Sequence, residues 1–249
     1  MRKYLTALLC LLCMVCMLPA QAETADPWPE VRHELALLGI ELDDAAYDRA
    51  IQSYQEQLRW FAEFGFAEQY ATKEHFAYVL LLDQGIGHFD EETWAFTPAS
   101  DQVYALDAEV FNVGVMYTDF LKGVQAIVDD AVFDNVKEDL SGVDWEWNGF
   151  SMTDGHRDVA FTCNGHPYAK RLDSYGDWLN PEIIDFVNEA LRKEGCRGQL
   201  YAVSDSFDQM LILIYGDEAR AAALCGILGT EPWVEESGQD SFSLLDLLY

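Results

Sequence analysis

The sequence predicts an α+β fold. A helix-rich N-terminal portion spans residues 23–155, and a ββαββα portion over 156–229 builds a mostly antiparallel sheet with its helices on one face. Three observations predict it. Apolar residues recur at steps of four and three through "LDDAAYDRAIQSYQEQLRWFAEFG". Asn164-Gly165 separates two strand-like runs. Two helical segments, "NPEIIDFVNEALRKEG" and "DEARAAALCGILG", each follow a pair of such runs.

Taken in order, Tyr47, Ile51, Tyr54, Leu58 and Phe61 form one apolar stripe, with Asp43 or Asp44 as N-cap and Gly65 as the stop. "ATKEHFAYVLLLDQG" is a second helix, capped by Thr72 and ended at Gly85. "GIGHFDEETWAFTPAS" reads as loop, broken by Gly85, Gly87, Pro98 and Ser100. "QVYALDAEVF" alternates as a strand does, with Tyr104, Leu106, Ala108 and Val110 on one side. Val113, Met116, Tyr117, Phe120, Leu121, Val124, Ile127 and Val128 then repeat at helical spacing behind Asn112 as cap. Residues 132–156 carry no regular pattern beyond short strands and turns.

The Asn164-Gly165 pair fixes a hairpin register. A type I′ turn needs positive φ at both central residues, which Asn and Gly supply. Cys163 then faces His166, Thr162 faces Pro167, Phe161 faces Tyr168, and Asp158 faces Arg171. Pro167 has no N–H to give a further strand, so the strand from His166 is expected at a sheet edge. In the helix that follows, Asn180 caps, Pro181 takes the first helical position and Gly195 ends it. Tyr-Gly-Asp occurs at 175–177 and again at 215–217, a hint of a repeated strand–strand–helix unit.

The N-terminus reads as a secretory signal: Arg2 and Lys3, an apolar run from Leu5 to Leu18, and Ala20-Gln21-Ala22 before the expected cut. That run is short for a membrane span, so stable membrane insertion after cleavage is not expected. Residues 1–22 form the signal peptide, and 230–249 form an acidic tail with an apolar end. The formal net charge of the whole chain is −29, and cleavage makes it more negative. Such a charge excludes nucleic acid as a partner, because phosphates need Lys and Arg, and leaves a basic protein or a cationic ligand. Cys163, Cys196 and Cys225 remain after cleavage, enough for one bridge at most, with the pairing open.

No cofactor motif and no metal-ligand spacing appears. His33, His75, His88, His156 and His166 are scattered, and the acidic loop from Asp83 to Trp94 fails as an EF-hand because glycines occupy ligand positions. Cys163 and His166 lie close across the turn, but no third residue is evident to orient the imidazole, and the turn accounts for the pair. His156 in "DGHRD" reads as part of a turn before the strand at Asp158. The most site-like stretch is "VDWEWNGF", where Trp145, Glu146, Trp147, Asn148 and Phe150 combine aromatic faces with acids, as a binding platform does. The expected function is a secreted or envelope-exposed, bacterial-type acidic interaction protein, immunity- or inhibitor-like toward a basic partner. The alternative is a small secreted hydrolase of glycan or peptide using paired carboxylates. A calcium-stabilised domain is a third option.

Overall fold

A computed structural model describes residues 26–90, 92–93, 95–110, 112–144, 155–203 and 209–230. Among them are seven α-helices and three antiparallel sheets, an α+β architecture. The N-terminal portion carries α1 (Pro29–Leu37), α2 (Asp44–Glu63), α3 (Ala67–Tyr70) and α4 (Lys73–Gly85). Next come the short strands β1 (His88–Phe89) and β2 (Phe96–Thr97), then β3 (Tyr104–Asp107), a 3₁₀ turn (Val113–Val115) and α5 (Met116–Ile127). The rest is β4 (Phe133–Asp139), β5 (His156–Cys163), β6 (His166–Asp173), α6 (Glu182–Glu194), β7 (Gln199–Val203), β8 (Met210–Gly216) and α7 (Glu218–Leu228). From β5 onward the order is the ββαββα that the sequence predicts.

The helix caps follow local chemistry. The Asp43 carboxylate accepts from Ala46 N–H at the start of α2, and Thr72 Oγ1 accepts from His75 N–H at the start of α4. Asn180 Oδ1 accepts from Glu182 N–H ahead of α6, and Gly195 closes that helix at φ +72. Asn112 does not cap α5: its side chain makes no such bond, and the 3₁₀ turn intervenes before the α-helix begins at Met116. The segment from Gly85 to Ser100 is not all loop, because β1 and β2 pair within it. α1 was not legible in the sequence, since only Val31 and Leu35 of its short span are buried.

The β5–β6 hairpin has the register read from Asn164-Gly165, pair for pair, and both turn residues have positive φ, 51 and 85. Phe161 and Tyr168 stack with ring centroids 5.8 Å apart, and Arg171 grips Asp158 with two 2.8 Å hydrogen bonds. β6 lies at the edge of its sheet, whose order is β4-β5-β6. β5 begins at His156, so His156 belongs to the strand rather than to a preceding turn.

The single sheet with both helices on one face is replaced by two separate sheets. β7 and β8 join β3 in the order β3-β8-β7, apart from β4-β5-β6. The reason lies in β8. Leu211, Leu213 and Tyr215 face one core while Ile212 and Ile214 face the other, so this sheet needs cover on both sides. One core is closed by α5, α6 and the inner face of β4-β5-β6; the other by α1, α2, α4 and α7. The two Tyr-Gly-Asp tripeptides play different parts. Asp217 caps α7 through Arg220 N–H, whereas Tyr175 to Trp178 forms a turn well before α6. They are not equivalent positions of a repeat.

Candidate functional site

Three elements that follow one another along the chain, the β1–β2 hairpin, β3 and α5, meet at one end of the first core. β3 turns Tyr104 and Leu106 to the same side, as strand alternation requires. α5 presents Met116, Asp119 and Phe120, three and four residues apart on neighbouring positions of the helix surface. The β1–β2 hairpin brings Phe89 against Phe96, centroids 5.2 Å apart. Two glycines permit the close approach. A Cβ on Gly123 would sit 2.3 Å from the Tyr104 ring, and one on Gly87 2.1 Å from the Phe96 ring. Between these walls lies a cavity of about 240 Å³.

Its charged lining is all of one sign. Among the described lining residues the ionisable carboxylates are Asp107, Glu109 and Asp119, and there is no Lys, Arg or His. Asp107 and Glu109 are exposed at the rim. Partial desolvation raises the pKa of Asp107, against the hydrogen bonds from Glu109 N–H and Gln209 that favour its charge. Asp119 is inside, 5% exposed. Its Oδ1 accepts from Lys122 Nζ at 2.7 Å, while its Oδ2 is buried with no hydrogen-bond partner. The first turn of α5 favours a negative charge there through the helix dipole, but a dipole does not satisfy the second oxygen. Burial and the neighbouring Asp119 carboxylate both push the Tyr104 phenol well above its ordinary range.

A second buried polar group is structural. Arg157, 1% exposed on β5, donates to Val113 O at 2.5 Å and stands 3.9 Å from Glu138 Oε2. Glu138 Oε1 accepts from both N–H and Oγ1 of Thr118, at 2.6 and 2.7 Å. A register shift between Asp134 and Lys137, with Asn135 at φ 53, adds a residue to β4 and brings Glu138 inward opposite Val159. The pair ties β4, β5 and α5 together.

Cys163 and His166 face each other as the turn requires, and Glu194 proves to be the third residue that the sequence did not reveal. It accepts from His166 Nδ1 at 2.9 Å and from Tyr168 Oη at 2.5 Å. The constellation still lacks a reactive thiolate. Cys163 is fully buried, and burial, with Cys196, Glu194 and Asp130 nearby, raises its thiol to about 11. Cys163, Cys196 and Cys225 are all free thiols. His75 is buried on α4, with Nε2 3.0 Å from Gln57 Oε1 and aromatic rings around it, as a core histidine is.

Trp145, Glu146, Trp147, Asn148 and Phe150 lie outside the described residues, as do residues 1–25, 204–208 and 231–249. The structure therefore brings together a different set, centred on Asp119. The sequence held one signal for it. Asp119 falls on the flank of the α5 stripe, one helical turn before Gly123, and a glycine there marks where another element comes close. Among the described residues no group of three or more His, Cys, Asp or Glu is placed to hold a metal ion, and no helix is long and apolar enough to cross a membrane. Comparison with known protein families, with curated proteins and with solved structures finds no match to this chain.

Proposed function

We propose that this chain is an exported acidic binding protein that receives a cationic group, from a basic partner or a cationic ligand. One observation carries the reading: a cavity whose charged residues, among the described lining, are all acidic, with the carboxylate of Asp119 buried at its wall. A carboxylate at an apolar wall is poorly solvated, and an incoming N⁺–H group supplies it a charge-assisted hydrogen bond. The net charge of −29 adds long-range attraction for cations and speeds encounter. The leader "MRKYLTALLCLLCMVCMLPAQA" supports export.

The test is a titration with a lysine-containing apolar peptide and with the same peptide acetylated on its lysines. The expected result is binding that weakens with salt, falls roughly tenfold or more on acetylation, and returns the peptide with unchanged mass. Equal affinity for the acetylated peptide sinks the reading. Cleavage of the peptide that disappears on replacing a carboxylate does so too, in favour of the hydrolase.

A further inference from the structure

The cavity beside α5 limits the ligand further, given the binding reading just proposed. A hard metal ion wants six to eight oxygen ligands, and these walls are mostly apolar, with Phe89, Phe96, Tyr104 and Phe120 supplying aromatic rings. A neutral apolar molecule would fill the space but give the buried Asp119 carboxylate at the wall no counter-charge from within the cavity. An anion would meet Asp107 and Glu109 at the rim with no cation among the described lining residues to offset them. Lys122 does not complete the site from within, because its ammonium is on Oδ1 and its side chain is 46% exposed.

We propose that the cavity seats a small organic ammonium ion, its head on the Asp119 carboxylate at the wall and its hydrocarbon among the aromatic rings. An ammonium group makes a charge-assisted hydrogen bond with a carboxylate and is opposite in sign to every charge among the described lining residues. Its positive charge is also attracted by the faces of the rings. The apolar remainder replaces water against Leu106, Val110 and Leu179. About 240 Å³ admits a ligand of the size of an aromatic monoamine. Tyr104 and Phe96 are held at the wall by their contacts over Gly123 and Gly87, so the space exists before the ligand arrives.

Calorimetric titration with phenethylammonium chloride, and with 2-phenylethanol as its uncharged counterpart, tests this. The ammonium should bind saturably and roughly tenfold or more tighter than the alcohol, and Asp119→Asn should weaken it by a similar factor while leaving the alcohol unaffected. Val110→Trp, at a half-buried lining position, should block both by filling the space. Equal binding of the two ligands, or an ammonium affinity unchanged in Asp119→Asn, overturns the proposal. If the lysine peptide binds and phenethylammonium does not, the small-ligand assignment falls and the acidic-binding reading stands. If neither binds, both fall.

Discussion

Val132 and Asn164 hold each other by two hydrogen bonds: Asn164 N–H donates to Val132 O at 3.0 Å, and Val132 N–H donates to Asn164 Oδ1 at 2.9 Å. The turn residue that sets the β5–β6 register therefore also fastens the start of β4. Asn164→Ala removes the side-chain bond and puts a Cβ-bearing residue without local hydrogen bonding at positive φ. It should cost about 2–3 kcal/mol. Asn164→Gly keeps the backbone conformation and should cost about 1 kcal/mol. Urea midpoints at unchanged slope decide the order; equal losses would mean the left-handed conformation contributes nothing.

Removing one partner of the Glu138–Arg157 pair leaves the other charge buried. Arg157→Leu should destabilise by about 3–5 kcal/mol, and Glu138→Gln by less, because Gln still accepts from Thr118. Burial raises the Glu138 pKa, opposed by the bonds from Thr118 and Tyr117 and by Arg157. The folded state thus holds this proton at a pH where the unfolded chain has released it. Its contribution is present below the unfolded value, about 4.3, and is lost as pH rises through the raised folded value. Denaturation across that window should show the decline in wild type and a flatter profile in Glu138→Gln; parallel profiles would contradict the assignment.

The thiols should differ in reactivity. Burial raises Cys163 and Cys225 to about 11, and both are buried, whereas Cys196 is partly exposed. Because the thiolate is the reactive form, iodoacetamide at pH 8 should mark Cys196 first. It should reach Cys163 and Cys225 only under unfolding conditions. Peptide mass mapping gives the order, and early labelling of Cys163 would revive a catalytic role for the pair with His166.

Asp119→Asn should not harm the fold. The change keeps the shape, removes a buried charge whose Oδ2 has no partner, and leaves Lys122 half-exposed to water. The thermal midpoint is expected within about 3 °C of wild type or above it. Stability retained at a buried acid is the mark of a residue kept for binding rather than folding. A fall of roughly 10 °C or more would make Asp119 a structural group instead.

Near neighbours in the chain were legible and distant ones were not. Asn164-Gly165 fixed every pair of one hairpin, and Asp43, Thr72 and Gly195 marked helix ends, because turns and caps are chemistry within a few residues. The separation into two sheets was written only faintly, in the unbroken apolar run of β8. β4 was hidden because its bulge interrupts the alternation that would announce a strand. The cavity was out of reach, since its walls come from residues 86–120 together with Leu179.

By itself the amino-acid sequence determined the α+β class, the local turns and caps, and an acidity that points toward cationic ligands. Only the tertiary structure decided that Asp119, one acid among 44 Asp and Glu residues, is buried at the wall of a cavity with one oxygen unpartnered. The physical reason is that desolvation depends on what surrounds a group in space. For Asp119 that surrounding is set by the meeting of α5, β3 and the β1–β2 hairpin, which no short stretch of chain encodes.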